Sequence, residues 1–225
     1  MAHPDDVDFG SAGTMAWLTS NGVHVTYCLV TDGDAGGSDR TISRHEMAAL
    51  RRKEQTEAAH AVGVHDLVFL GYPDGRVECT LELRRDISRV IREVRPQVVV
   101  TQSPERNLDR IFASHPDHLA AGEAAMCAVY PDARNPFAYP ELLESGLEPW
   151  TVDEIWLSGH PQPSDFVDVT DFVERKFEAL LSHASQHPEP DGMQVRVREW
   201  MRLTGVAAGF ADGRLGEAFR VVRAN

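Results

Sequence analysis

The sequence predicts an α/β fold of the Rossmann-like kind, a mostly parallel sheet with helices on both faces, in a single domain over residues 1–225. Three observations lead there. β-Branched, apolar stretches of strand length alternate with longer stretches whose apolar residues recur at three and four positions. Each strand-like stretch runs into a loop rich in Gly, Asp and Pro. The 225 residues, 42% hydrophobic and 25% charged, suit one compact core that buries about 70–75% of its unfolded surface.

Taken in order, residues 23–30 are β-branched and aromatic, and they stop at Thr31-Asp32-Gly33-Asp34-Ala35-Gly36-Gly37, a strand entering a turn. Residues 43–62 read as a helix with Met47, Leu50, Glu54 and Ala58 at helical intervals, capped by Ser43 and closed by Gly63. A short apolar strand at 67–70 ends in Gly71-Tyr72-Pro73-Asp74-Gly75. Thr80 caps a second helix carrying Leu83, Ile87, Val90, Ile91 and Val94, and Pro96 ends it. A third strand at 98–100 precedes a polar loop over 102–115 and a helix over 116–130. A Pro-rich passage follows, then strands near Ile155 and Val167 and helices at 173–182 and 195–203. In such sheets ligands bind beyond the carboxyl ends of the strands.

With 35 acidic against 22 basic residues the net charge is −13, which argues against the basic surface that neutralises phosphates and so against nucleic acid as a partner. No apolar run approaches the ~18 residues of a membrane span. No basic segment followed by an apolar stretch opens the sequence, so the expected location is the cytoplasm. A homo-oligomer is compatible with the composition. Cys28, Cys79 and Cys127 are odd in number and lack a C-x-x-C pair; neither a disulfide framework nor a thiolate metal site is expected, and they read as small buried apolar residues.

The chemistry concentrates in two short segments, His3-Pro4-Asp5-Asp6 and His115-Pro116-Asp117-His118. Each offers imidazole and carboxylate within four residues, the donors a divalent metal such as Zn²⁺ takes from a protein. In a turn, residues three apart face one point, so His3 and Asp6 with His118 supply three ligands and leave a coordination position open. Asp5 and His115 are then left beside the metal, as the base that takes a proton from water and the acid that protonates a leaving amine. Asp117 is placed to orient His115 and stabilise its charged form. One H-P-D segment alone is most simply a proline turn with surface His and Asp; two of them after strand-end loops favour a site. Gly33, Gly36 and Gly37 lack the G-K-[ST] ending of a phosphate loop, and read equally as a plain turn or as a place where backbone approaches a sugar.

Read together, A-H-P-D-D, T-D-G-D-A-G-G, R-x-x-E in a helix, F-L-G-Y-P-D-G, H-P-D-H, and the late K-x-x-A-L-x-x-H-x-S-Q and G-E-A-F-R resemble the PIG-L (LmbE-like) N-deacetylases, from Ala2 to about Arg220. The resemblance implies one zinc per chain on His3, Asp6 and His118, with other divalent metals acceptable to the same donors. It implies Asp5 as general base and His115 as the acid or oxyanion-stabilising group, in agreement with the assignment from valence and spacing. It also places Arg51 and Asp74 where the family contacts substrate hydroxyls. His183 approaches the cleft on one reading and is a helix-end histidine on the other. The implied substrates are N-acetylglucosamine-type sugars of glycosylphosphatidylinositol, mycothiol, bacillithiol or glycopeptide pathways, or related amides, with a small-molecule aminosugar as partner. A metal phosphoesterase and a non-catalytic sugar-binding member of the fold are the alternatives. The first would want carboxylates for two metals, and the second would not need Asp5 and His115. The family pattern further implies an apolar strand just before His3, where only Met1 and Ala2 stand, so a Val/Ile/Leu-rich stretch of about 5–7 residues is expected upstream.

Overall fold

The computed structural model describes residues 1–37 and 39–225. They divide into two compact units, one built from residues 1–2, 75–164 and 219–225 and the other from 3–74 and 165–218. Neither is a continuous stretch, because the chain crosses between them after Ala2, Asp74, Ser164 and Ala218.

The unit containing residues 3–74 holds α1 (Asp6–Ser20), β1 (Thr26–Thr31), α2 (Arg44–Ala61) and β2 (Asp66–Tyr72), followed by β5 (Asp165–Asp168), α6 (Val173–Ser182), α7 (Pro190–Ala207) and the start of β6 (Gly216–Arg223). β1 and β2 pair in parallel from Thr26 opposite Asp66 to Leu29 opposite Phe69, with a register shift before Thr31. The Ser43 hydroxyl accepts from the Glu46 N–H while the Glu46 carboxylate accepts from the Ser43 N–H, a capping box that satisfies two orphan donors at the start of α2. Helix α1 is unusual in what it buries: Asp8, Ser11, Gly13 and Thr14 beside Val7, Ala12, Met15 and Ala16. A buried ion pair reaches into its middle. Lys176 Nζ donates to the Asp8 and Phe9 carbonyls at 2.8 Å each and to Glu217 Oε1 at 2.6 Å. Glu217 in turn accepts from the Gly13 and Thr14 N–H groups at 3.0 and 2.7 Å. A Cβ on Gly13 would sit 2.8 Å from Val169 Cβ, so glycine lets the helix approach that closely. Val169, Val173, Phe177, Leu180, Met193, Val197, Met201 and Leu215 form the apolar cluster of this unit.

The other unit contains α3 (Leu81–Val94), β3 (Val98–Gln102), α4 (Pro116–Cys127), the short α5 (Pro140–Glu144), β4 (Glu154–Ser158) and the end of β6. β3 and β4 run parallel, Val98 opposite Glu154 through Gln102 opposite Ser158, and β4 pairs antiparallel with β6, Glu154 opposite Arg223 through Ser158 opposite Phe219. The buried Arg92 side chain donates to the carbonyls of Ala133, Leu147, Asp132, Asn135 and Ala138 and so organises the passage after α4. A Cβ on Gly122 would lie 2.3 Å from the Gln102 carbonyl oxygen; α4 therefore packs directly on the carboxyl end of β3.

The α/β class holds. The parallel pairing expected from the sequence is present in β1 with β2 and in β3 with β4. Strand β6, antiparallel to β4, adds a pairing that the strand pattern of the sequence does not predict. The cysteines also differ from expectation, since Cys79 is exposed and Cys28 and Cys127 are only half-buried. Among the described residues no helix is long and apolar enough to cross a membrane.

Candidate active site

The first H-P-D segment is the entry to α1. Asp5 is the N-cap, with φ 83° and ψ −25°, a left-handed conformation that costs a non-glycine residue about 1–2 kcal/mol. Asp6 turns back: its Oδ2 accepts the His3 N–H at 2.7 Å and lies 3.2 Å from His3 Nδ1. His3 Nε2 faces Asp74 Oδ1 at 3.1 Å, and the His3 side chain is only 12% exposed. Burial alone would lower the imidazole pKa, but the hydrogen bonds and charges of Asp6 and Asp74 outweigh it and raise it to about 11. A positive charge is strongly favoured between these two carboxylates.

Asp5 has different partners from its neighbour. Its Oδ2 pairs with Arg51 Nη2 at 3.0 Å, with 19% of the Asp5 side chain and 4% of the Arg51 side chain exposed. Its N–H donates to Gln55 Oε1 at 2.8 Å. Arg51 also donates to the Pro4 carbonyl. Burial raises the Asp5 pKa and the Arg51 guanidinium opposes it; the result is about 6, which suits a proton acceptor working near neutrality.

Arg51 in turn is enclosed by the glycine turn. A Cβ on Gly33 would come within 2.9 Å of Arg51 Nη1, and one on Gly36 within 2.4 Å. Those glycines make room for the guanidinium, and Gly33, at φ 66°, needs the left-handed freedom as well. Asp74 completes the group: its Oδ2 accepts the Ala35 N–H at 3.0 Å, and despite partial burial the His3 contact holds its carboxyl below the usual range.

The second H-P-D segment opens α4. His115 is the N-cap and Pro116 the first helical residue, a position where the missing N–H costs nothing. His115 Nδ1 accepts the Asp117 N–H at 3.2 Å, which assigns the ring proton of neutral His115 to Nε2. The Asp117 carboxylate is buried and accepts the N–H groups of Gly75 at 2.7 Å and Val77 at 3.3 Å. It thereby ties the loop after Asp74 to α4. His118 Nδ1 lies 3.4 Å from the Ala113 carbonyl, a weak donor contact that leaves Nε2 with the lone pair a metal takes. The His115 and His118 rings are 5.3 Å apart.

One unit thus brings His3, Asp5, Asp6, Arg51 and Asp74 into a single network, and the other gathers His115, Asp117 and His118. Reasoning from the motifs missed Asp8 and Gln55, both fully buried beside Asp5. It left His183 between two readings; the ring is fully buried and bonded to Asp8 Oδ2 at 2.8 Å. The signals were the late K-x-x-A-L-x-x-H motif and the third acid of D-D-V-D, whose partners are too distant in sequence for spacing to reveal.

Residues 1–129 match the family model described as PIG-L, GlcNAc-PI de-N-acetylase. The chain is 35% identical over 187 residues to a diacetylchitobiose deacetylase of Thermococcus kodakarensis, covering 83% of this chain and 68% of the relative. It is 34% identical over 191 residues to a probable N-acetyl-alpha-D-glucosaminyl L-malate deacetylase 2 of Bacillus anthracis, covering 82% and 78%. The solved structure of N,N'-diacetylchitobiose deacetylase from Pyrococcus horikoshii, complexed with an inhibitor, superposes with a TM-score of 0.91 at 33% identity over 99% of this chain and 81% of that one. These relatives are deacetylases, hydrolases that cut a carbon–nitrogen amide bond, and PIG-L deacetylases are metal-dependent. With both H-P-D segments inside or beside the matched region and the match extending through most of the sequence, the chain belongs to the PIG-L family of de-N-acetylases.

Proposed function

We propose that this protein is a zinc-dependent N-deacetylase that hydrolyses the acetamide of a small N-acetylglucosamine glycoconjugate. The observation that carries the reading is the division between adjacent carboxylates: Asp6 is bound to His3, whereas Asp5 is turned to Arg51. The donor set fits a divalent cation. Two carboxylates flank the His3 imidazole, an excess of negative charge, and a His118 that donates from Nδ1 to the Ala113 carbonyl carries its lone pair on Nε2. His3, Asp6 and His118 would hold the metal. The chemistry a bound zinc supplies is polarisation of the acetyl carbonyl and acidification of water.

The chain's own residues do the rest. Asp5 accepts the proton of the attacking water as its oxygen bonds to the acetyl carbon. Asp5 then passes that proton to the departing nitrogen as the C–N bond breaks, while His115 donates a hydrogen bond from Nε2–H to the acetyl oxygen, and acetate and a free amine result. Asp117 keeps His115 in the required tautomer through its backbone N–H. Arg51 and Asp74 complete the substrate side of the reading, with Arg51 also holding Asp5. A cytoplasmic enzyme is part of this reading, since three cysteines without a disulfide suit a reducing compartment.

The test is a substrate panel: N,N'-diacetylchitobiose, N-acetylglucosaminyl malate, N-acetylglucosaminyl inositol and a generic phosphate ester, each with zinc-loaded protein. Acetate and amine in equal amounts from at least one sugar, with no phosphate released, is the expected result. Phosphate release, or sugar binding without acetate, would overturn it.

A further inference from the structure

We infer that Gln55, Asp8 and His183 form a positioning relay that holds the backbone of Asp5 in its left-handed conformation, an inference that rests on reading Asp5 as the proton acceptor. The atoms run in one direction. Gln55 Oε1 accepts the Asp5 N–H at 2.8 Å. Gln55 Nε2 donates to Asp8 Oδ2 at 2.9 Å. His183 Nε2 donates to that same oxygen at 2.8 Å. All three side chains are fully buried.

Hydrogen-bond polarity gives the relay its logic. A glutamine amide can present oxygen or nitrogen to a neighbour, and an amide reversed at Asp5 would set two N–H groups against each other. Asp8 removes the ambiguity because a carboxylate only accepts, so the amide nitrogen turns toward it and the oxygen is left for Asp5. His183 anchors Asp8 from an element far along the chain, which explains the histidine of the late K-x-x-A-L-x-x-H motif. Arg51, one helical turn before Gln55 on α2, grips the Asp5 carboxylate and the Pro4 carbonyl. The strained residue is therefore held by its N–H on one side and by its side chain and preceding carbonyl on the other, the over-determination that a conformation of this kind needs to persist.

The relay is also costly to stability. Asp8 Oδ1 and His183 Nδ1 are buried with no hydrogen-bond partner among the described residues, and apolar side chains of similar volume would remove that penalty. A cluster kept for packing alone would have no use for it.

The experiment measures kcat and KM on N,N'-diacetylchitobiose, bound zinc and melting temperature for Gln55→Met, Gln55→Glu, Gln55→Glu with Asp8→Asn, and Asp5→Asn. Gln55→Met is expected to lower kcat about ten- to a hundredfold, with KM within about twofold and zinc retained. Gln55→Glu sets an oxygen against Asp8 and loses kcat likewise. Adding Asp8→Asn restores a donor at that contact and recovers most of the loss, a rescue that general packing damage would not give. This pair carries the test if Gln55→Met does not fold. Wild-type kcat in both single Gln55 variants, or no recovery in the double variant, overturns the relay. If Asp5→Asn is inactive while both Gln55 variants are fully active, the relay alone fails; if Asp5→Asn keeps wild-type kcat, the reading of Asp5 fails and takes the relay with it.

Discussion

The two H-P-D segments share a tripeptide and a place at a helix start, yet they are ordered in different ways. The turn at His3 is strained at Asp5 and is held by Arg51, Gln55 and Asp74, residues 46 to 71 positions or so away in the chain. The turn at His115 has ordinary backbone angles, φ −52° and ψ 138°, begins its helix with proline, and is fixed by the N–H two residues on. The lesson is that the same motif can be a local structure in one place and a product of tertiary charge in another. Damage at a distance should therefore reach the first turn far more readily than the second.

The largest expected effects fall on both turns alike. His3→Ala and His118→Ala should each lose bound zinc and acetate release together, because a ligand is removed; full zinc occupancy by elemental analysis in either would break the ligand assignment. Below that level the turns should diverge. Arg51→Ala leaves the Pro4 carbonyl and the Asp5 carboxylate without their cation, and is expected to cost about 3 kcal/mol, the low end for a broken buried pair, because Asp5 keeps some solvent. Arg51→Lys should recover only part of this, since an ammonium does not reproduce the guanidinium's planar spread of donors. Urea denaturation showing Arg51→Ala within 1 kcal/mol of wild type would remove the distinction between the turns. Asp117→Ala leaves the Gly75 and Val77 N–H groups unpaired and should cost about 2 kcal/mol. Its melting curve should fall less than that of Arg51→Ala. Pro116→Ala is the smallest change, about 0.4–1 kcal/mol through the unfolded chain, with zinc binding untouched.

What was legible in the sequence follows the same division. Helix α2 was visible because its capping box, Ser43 with Glu46, is local, and α3 because Thr80 caps an apolar stripe of Leu83, Ile87, Val90 and Ile91. The H-P-D segments were legible for the same reason, since donor types and their spacing are local properties. Helix α1 was not. It buries Asp8, Ser11, Gly13 and Thr14 together with small apolar residues, so it lacks an apolar stripe, and its mid-helix partners are Lys176 and Glu217. The antiparallel pairing of β6 with β4 was hidden because strand direction is set by tertiary path. The glycine turn was half-legible: its composition read equally as a plain turn or as a close approach to a sugar, and the structure shows that the group it makes room for is Arg51.

The central claim is that the neighbouring carboxylates do different work, Asp6 as ligand and Asp5 as proton acceptor. Zinc content measured alongside acetate release, for Asp5→Asn and Asp6→Asn in parallel, tests it most directly. The account predicts about one zinc per chain in Asp5→Asn with activity down about a hundredfold or more, and loss of both zinc and activity in Asp6→Asn. Loss of zinc in Asp5→Asn, or full zinc in Asp6→Asn, would contradict it.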